Sequence, residues 1–354
     1  MAQLDKIFRT AVQYKASDIY ITTGAKPILR LNGDLISIEE HAVLSKKLAE
    51  DYILEILNEK QKEEFSKTLD LDFSLEVPGI SRFRVNVFVQ RKGIAACFRV
   101  IPENVHTLDE LGLPETLKDI ALSEGGLVLV TGATGSGKST TMAAMINEVN
   151  NGSKSKAKHI ITIEDPIEYV HENGKCIIDQ REVGTHTLSF TKALRSALRE
   201  DPDVILVGEM RDLETIALTL TAAETGHLVF ATLHTNGAAA SVDRIIDAFP
   251  TNQQNQIRMQ LAASLRAVVW QSLMKTKDGN SRVAGLEIML NNSAVANMIR
   301  KNKTHQLGSA IETGFREGMQ TMKKSVTELL EAGIIDEETA LENIPEEIDT
   351  TNNA

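Results

Sequence analysis

A phosphate-loop motif constrains the fold of this chain more than any other feature of its sequence. The segment GATGSGKST, Gly132 to Thr140, follows the apolar run GLVLVT and precedes a run that suits a helix. Glycines allow backbone N–H groups to converge on a phosphate, and the N-terminus of the following helix adds its positive end. This order of elements predicts a nucleoside triphosphate site. The predicted binding residues are Gly132, Ala133, Thr134, Gly135, Ser136, Gly137, Lys138, Ser139 and Thr140.

Two apolar strands later in the chain are expected to complete this site. HIITIED ends in Glu164 and Asp165, and VILVGE ends in Glu209. Lys138 is expected to reach the β and γ phosphates, and Ser139 is expected to ligate Mg²⁺. Glu209 is the predicted second Mg²⁺ ligand, directly or through water, and Glu164 is expected to orient or deprotonate the attacking water. Both glutamates are expected beside the phosphate loop, because the carboxyl ends of parallel strands meet at one edge of a sheet.

Other roles are open for some of these residues. An acid at a strand end can cap the next helix, which suits Asp165 before Pro166. The strand HLVFATLHT begins with His227 and ends with His234. A histidine at a strand end is often a packing residue. The catalytic role is favoured for His234 over His227, because His234 lies at the carboxyl end of the strand, where ligands of a parallel sheet bind.

The order of strands and helices predicts the domains. Between residues 119 and 290 apolar strands alternate with helices, which predicts a parallel sheet covered on both faces. Residues 1–100 have strands and helices of their own and are predicted to form a separate α/β domain. A polar stretch between two prolines, 101–118, is the predicted linker. Residues 291–354 are predicted to form a helical region with an acidic tail.

Local patterns predict several individual elements. Apolar residues at helical spacing predict one helix over 44–65 and a helical structure from about residue 250 onward, including 255–274. Asn32-Gly33 predicts a turn between two short strands. The segment 81–101 predicts a hairpin that turns near Lys92-Gly93. It places three arginines on strand faces, namely Arg82, Arg84 and Arg99.

Composition narrows the class of protein. No apolar run approaches the roughly 20 residues that span a bilayer, and the charged N-terminus predicts an amphipathic helix and no signal peptide. The two cysteines, Cys97 and Cys176, lack the spacing of a zinc site or a disulfide framework. The net charge is −11, but nine acidic and no basic side chains lie in 325–354. The rest of the chain is therefore near neutral, which does not suggest a surface built for nucleic acid.

The run LREDPDVILVGEMRD, 198–212, resembles the signature of the type II secretion and type IV pilus ATPases. That signature is Leu-Arg, two residues, Pro-Asp, an apolar stretch and Gly-Glu-x-Arg-Asp. ITIEDPIEY resembles the acidic box of the family, and TGHLVFATLHTN resembles its histidine box. The similarity runs nearly end to end, and within this family a strand that ends in Gly-Glu is normal.

The resemblance implies a fold, a cofactor and roles for residues. It implies an N-terminal PAS-like α/β domain, a RecA-like phosphate-loop ATPase domain with a helical C-terminal region, and a homohexameric ring that hydrolyses ATP. Glu164 becomes the catalytic carboxylate and Glu209 the Walker B acid. His234, and less surely His227, become histidine-box residues near the γ phosphate. Three arginines of the first domain are implied to approach the nucleotide: Arg84, Arg99 and, more weakly, Arg82.

Within the family, the chain is similar to the retraction ATPases of type IV pili. Extension and secretion relatives carry a longer N-terminal region and usually a four-cysteine zinc motif, and this sequence has neither. The resemblance implies a cytoplasmic protein at the inner-membrane base of the pilus, which acts on a membrane platform protein and in some cases with a paralogous ATPase. The motif AVANMIRK departs from the family form AIRNLIRE at Ala296 and Lys301, so retraction strength and partner contact stay open.

Two other functions are compatible with a RecA-like ring. A DNA-translocating or conjugation-type ATPase predicts a basic channel lined by aromatic residues, but aromatic residues are only 4% of this chain. An accessory subunit that binds ATP without hydrolysing it is disfavoured by the presence of Glu164, Glu209 and the arginines.

Overall fold

The computed structural model describes residues 2–31, 33–101, 105–279 and 281–344. The chain divides into two compact units. The N-terminal unit comprises Met1–Asn104 together with Pro166–Val170, and the C-terminal unit comprises Val105–Asp165 and His171–Ala354. The domain limits given above stay a prediction.

The N-terminal unit is built on a six-stranded antiparallel sheet in the order β3-β2-β1-β6-β5-β4. Its elements are α1 (Ala2–Gln13), β1 (Asp18–Thr22), β2 (Ile28–Leu31), β3 (Asp34–Ser37), α2 (Lys46–Glu55), α3 (Glu59–Thr68), β4 (Asp70–Val77), β5 (Ser81–Gln90) and β6 (Gly93–Ile101). Phe8 of α1 packs against Phe83 and Phe98 of the sheet, with ring centroids 4.5 and 5.1 Å away. Burial of these three rings fixes the helix on the sheet.

The prediction of a single helix over 44–65 was wrong, because a capping box starts a second helix inside it. The side chain of Asn58 accepts from the N–H of Gln61 at 2.9 Å, and the Gln61 side chain accepts from the N–H of Asn58 at 3.0 Å. This reciprocal pair satisfies two backbone donors that a continuous helix would bond internally. The predicted hairpin over 81–101 is confirmed by β5 and β6, whereas Asn32 of the predicted Asn-Gly turn lies outside the described residues.

The C-terminal unit is built on a seven-stranded sheet in the order β13-β12-β7-β11-β10-β8-β9. Its strands are β7 (Gly126–Thr131), β8 (His159–Glu164), β9 (Ile177–Glu182), β10 (Val204–Val207), β11 (Leu228–Leu233), β12 (Leu265–Lys275) and β13 (Arg282–Leu290). Its α-helices are α4 (Thr116–Ala121), α5 (Lys138–Asn151), α6 (Phe190–Ala197), α7 (Leu213–Glu224), α8 (Ala238–Asp247), α9 (Thr251–Ser264), α10 (Ser293–Arg300), α11 (Leu307–Thr313), α12 (Met322–Glu331) and α13 (Glu337–Asn343).

Six of the seven strands are parallel, as the alternation of strands and helices predicts. Every residue of β7, β10 and β11 is buried, because helices cover both faces of the sheet. The antiparallel strand β13 lies at one edge, beside β12. Among the residues that the structure describes, no helix has both the length and the apolar character needed to cross a bilayer.

The prediction of a helix over 255–274 was wrong in its second half. The helix α9 ends at Ser264, and β12 begins at Leu265. The β-branched and aromatic run Val268-Val269-Trp270 favours a strand, and β12 pairs with β7 on one side and β13 on the other. A buried strand and a buried helix look alike by hydrophobic spacing alone, which explains the error.

Candidate active site

The phosphate loop joins β7 to α5 and has the backbone geometry of an anion cradle. Gly132, Gly135 and Gly137 have φ values of +141°, +80° and +86°, a region that favours glycine. A Cβ at Gly132 would lie 2.3 Å from the carbonyl oxygen of Gln271, and one at Gly137 would lie 2.7 Å from its side-chain nitrogen. Both positions therefore require glycine for space as well as for conformation.

Gln271, on the neighbouring strand β12, stabilises the phosphate loop through two side-chain hydrogen bonds. Its side-chain NH₂ donates to the carbonyl of Ser136 at 2.6 Å, and its side-chain oxygen accepts from the hydroxyl of Thr141 at 2.7 Å. The residue is 2% exposed, so these bonds form in a low-dielectric environment. Sequence reasoning missed Gln271, because its segment was predicted as helix and the residue follows no phosphate-loop motif.

The loop carries donors that fit a phosphate. The ammonium of Lys138 donates to the carbonyls of Gly132 and Ala133, both at 2.9 Å, and the lysine therefore folds over the loop. Ser136 is buried, and within the described residues its hydroxyl oxygen has no hydrogen-bond partner. A buried hydroxyl without a partner is costly, and a bound phosphate oxygen is an acceptor that would satisfy it.

The carboxyl ends of four strands meet beside this loop. Gly208 donates its N–H to the carbonyl of Ile163 at 2.8 Å, and Met210 donates to Thr232 at 3.2 Å. Gly132 in turn donates to the carbonyl of Leu233 at 3.3 Å. These bonds place Glu164, Glu209, His234 and the phosphate loop at one edge of the parallel sheet, where ligands of such sheets bind.

Glu164 lies at the end of β8 among neutral hydrogen-bond donors. The hydroxyl of Thr162 donates to its Oε1 at 2.6 Å, and the side-chain NH₂ of Gln180 donates to the same oxygen at 3.2 Å. Thr162 is fully buried and Glu164 is half-buried. Sequence reasoning missed both donors: Gln180 belongs to β9, a strand that the sequence analysis did not predict, and Thr162 lies inside the predicted strand β8, where no motif singles it out.

Glu209 lies after β10, beside an arginine and a histidine. Its Oε2 is 2.8 Å from the guanidinium of Arg211, and its Oε1 is 3.3 Å from Nε2 of His234. Arg211 also lies 3.7 Å from a carboxylate oxygen of Asp165. Asp165 is therefore part of this charged cluster and is exposed. No helix begins at Pro166 in the described part of the chain, because β9 is the next element after β8, so the helix-capping interpretation of Asp165 was wrong.

The structure does not bring His227 to the phosphate loop of its own chain. His227 precedes β11, whereas His234 follows it, so the two histidines lie at opposite ends of a strand about 20 Å long. The ring Nδ1 of His227 contacts the carbonyl of Ala222 at 2.9 Å and the hydroxyl of Thr225 at 3.1 Å. These local contacts are those of a packing residue.

The three predicted arginines share one face of the N-terminal sheet. Arg84 of β5 lies directly opposite Arg99 of β6, and Arg82 precedes Arg84 by two residues. Like charges directly opposite each other are unfavourable, but Arg99 is compensated by Asp18, which accepts from its Nε at 3.1 Å. A role for these arginines at the nucleotide stays a prediction.

The sheet topology, the phosphate loop and the two glutamates define a phosphate-loop ATPase. A family model described as "Type II/IV secretion system protein" matches residues 1–349. The chain belongs to this family, and its α/β fold, with an N-terminal domain ahead of the ATPase domain, is the one expected from the sequence.

Three known proteins are particularly similar to the chain. The "Type IV pilus retractation ATPase PilT" of Pseudomonas aeruginosa is 52% identical over 333 residues, which cover 94% of this chain and 95% of that protein. A "Twitching motility protein" of Neisseria gonorrhoeae is 50% identical over 334 residues, covering 94% and 88%. The crystal structure of the "Pilus Retraction Motor PilT and Bound ADP" superimposes with a TM-score of 0.90 at 44% identity, covering 96% of each chain.

Proposed function

We propose that this chain is the ATP-hydrolysing motor of type IV pilus retraction, and so drives pilus disassembly and twitching motility. The near full-length similarity to PilT carries the proposal, because it covers the N-terminal unit as well as the ATPase core. A match limited to the core would support ATP hydrolysis alone.

Residues of the ATPase core are proposed to carry most steps of the reaction. Lys138 and the loop N–H groups bind the β and γ phosphates, while Glu164 orients the attacking water or accepts its proton. Ser139 and Glu209 would hold Mg²⁺, directly or through water, and the bound ion would neutralise charge on the phosphates. His234 contacts Glu209 at 3.3 Å, which supports a role for this histidine beside the γ phosphate.

Residues outside the core are proposed to act when the site closes. Arg84 and Arg99, with Arg82 as a weaker candidate, would bring positive charge to the transferred phosphate. An arginine in that role accelerates phosphoryl transfer by about 10³-fold or more. His227 lies far from the phosphate loop of the same chain, so a role for this histidine near the γ phosphate is proposed less strongly.

The proposed partners follow from the retraction function. The chain would form a homohexamer in the cytoplasm and would bind peripherally at the inner-membrane base of the pilus machine. There it would act on the membrane platform protein, and a paralogous retraction ATPase is a further candidate partner. Nucleic acid is not among the proposed partners, because the body of the chain is near neutral and poor in aromatic residues.

Complementation of a strain that lacks its retraction ATPase tests this function. The wild-type chain is expected to restore twitching zones, whereas Glu164→Gln and Glu209→Gln, expressed at equal levels, are not. ATP turnover and nucleotide binding of the three purified proteins are measured in parallel. ATP binding without turnover above that of the variants would contradict the motor function and favour an accessory nucleotide switch. Turnover without restored twitching would contradict the retraction role alone.

A further inference from the structure

We infer that Thr162 and Gln180 are positioning residues that set the orientation of the Glu164 carboxylate for catalysis. The inference deepens the proposed function, because it rests on Glu164 as the group that acts on the attacking water. It assigns a catalytic purpose to β9, the edge strand of the ATPase sheet.

Strand register brings these three side chains together. Thr162 and Glu164 are two residues apart on β8 and therefore point to the same face of the sheet. Gln180 of β9 lies directly opposite Thr162 in the parallel pairing of the two strands. The three side chains are thus neighbours on one face, at the end of the sheet that carries the phosphate loop.

Both donors bond the same carboxylate oxygen. The Thr162 hydroxyl and the Gln180 amide lie 2.6 and 3.2 Å from Oε1 of Glu164. A carboxylate attached through one rotatable bond turns freely in water, but two donors from different strands fix its rotation. That rotation determines the direction in which the second oxygen points, and a general base must be aimed at the proton it accepts.

The orientation of the Gln180 amide is itself determined by the backbone. The N–H of His171 donates to Oε1 of Gln180 at 2.8 Å, and a backbone N–H can act only as a donor. The amide oxygen must therefore face His171, and the amide NH₂ must face Glu164. A flipped amide would place two donors together at His171 and two acceptors together at Glu164.

Thr162→Val and Gln180→Leu test this inference, with Thr162→Ser as the conservative variant. Valine keeps the shape of threonine and removes the hydroxyl. Thr219→Val is the matched control, because Thr219 is equally buried and its hydroxyl donates only to a helix carbonyl, that of Thr215, at 2.8 Å. ATP turnover, KM for ATP and the affinity for a fluorescent ADP analogue are measured for each protein.

We expect Thr162→Val and Gln180→Leu each to lower kcat about tenfold, the effect of losing one hydrogen bond to a charged group. KM and ADP affinity should stay at the wild-type values, because the phosphate loop is untouched. Thr162→Ser should recover most of the lost kcat, and Thr219→Val should lose none. In a Glu164→Gln background, Thr162→Val should cause no further loss of single-turnover rate, because its effect passes through the carboxylate.

Two results would overturn the inference. One is a Thr162→Val kcat equal to that of the Thr219→Val control. The other is an equal loss from Thr162→Val in the wild-type and Glu164→Gln backgrounds, which would indicate a structural role only. If Glu164→Gln itself hydrolyses ATP at the wild-type rate, the assignment of Glu164 fails and the positioning role fails with it. These outcomes separate the failure of the positioning role from the failure of the proposed catalytic carboxylate.

Discussion

Glu164 and Glu209 lie at the carboxyl ends of adjacent parallel strands, yet the side chains that contact them differ in kind. Glu164 accepts hydrogen bonds from the neutral donors Thr162 and Gln180. Glu209 faces the guanidinium of Arg211 and the ring of His234. The two residues have the same side chain, but Glu164 is the last residue of β8 whereas Glu209 lies two residues beyond the end of β10, so each meets different neighbours.

This difference supports a division of labour between the two glutamates, in which Glu164 acts on the attacking water and Glu209 binds Mg²⁺, as proposed above. Neutral donors fix the orientation of a carboxylate without themselves bringing a positive charge to it, which suits a group that accepts a proton. A carboxylate that faces a guanidinium lies where a positive charge is favourable, and we propose that Mg²⁺ would take such a position beside Glu209 in the working site. Three predictions test this comparison, and one more concerns His171, whose N–H orients Gln180 beside Glu164.

The largest effect is expected from Glu164→Gln. Glutamine keeps the size of the side chain and its bond from Thr162 but removes the proton acceptor. We expect kcat to fall about 10²- to 10⁴-fold, the usual contribution of a general base. The Mg²⁺ concentration that gives half-maximal nucleotide binding should not change. A Glu164→Gln protein that needs more Mg²⁺ than the wild type would contradict the division of labour.

The sequence predicts the two glutamates but not their neighbours. Glu164 and Glu209 could be located because each follows an apolar strand and because the Gly-Glu ending belongs to a specific signature. Thr162 and Gln180 could not, because their contact depends on the pairing of β8 with β9, which is a tertiary contact with a strand that the sequence did not predict. Gln271 could not be predicted for the same reason, because its side chain bonds to Thr141 from a strand 130 residues further along the chain.

The fold shows the same limit on a larger scale. Strands β7, β8, β10 and β11 are predictable because each is a short apolar run bounded by turn residues or by a helix. Strand β12 is not, since the apolar residues after Ser264 continue the spacing of the helix before it. Only the pairing of β12 with β7 and β13 distinguishes the two structures, and that pairing is tertiary.

A second prediction concerns His171, whose N–H holds Gln180. Desolvation of the ring lowers its pKa from 6.5 to about 4, so the folded protein keeps this histidine neutral where the unfolded chain is protonated. The stabilisation is complete above pH 6.5 and is lost as the pH falls toward 4, by up to about 3 kcal/mol. Denaturant unfolding of the wild type should show this loss, and His171→Asn should lack it. Equal pH dependence in both proteins would contradict the assignment.

A third prediction concerns Glu209→Gln, which tests the other half of the comparison. Loss of the anionic ligand should raise the Mg²⁺ concentration required for nucleotide binding about 10- to 100-fold. At saturating Mg²⁺ the remaining loss of kcat should be smaller than in Glu164→Gln. A Mg²⁺ titration with a fluorescent ATP analogue measures the first effect, and steady-state turnover measures the second. An unchanged Mg²⁺ requirement would show that Glu209 is not a ligand of the ion.

The smallest effect is expected from Arg211→Ala. Arg211 forms an ion pair with Glu209 at 2.8 Å, and its distance of 3.7 Å from Asp165 extends the cluster to a second carboxylate. Its side chain is 61% exposed, so the ion pair is worth at most about 1 kcal/mol, or roughly fivefold in affinity. Because the guanidinium competes with Mg²⁺ for Glu209, its removal should lower the required Mg²⁺ concentration by up to that factor. Arg199→Ala, just after the C-terminal end of α6 and with its guanidinium hydrogen-bonded to the carbonyl of Arg195, is the control for loss of one positive charge. A higher Mg²⁺ requirement in Arg211→Ala than in Arg199→Ala would mean that the arginine positions Glu209 for the ion and does not compete with it.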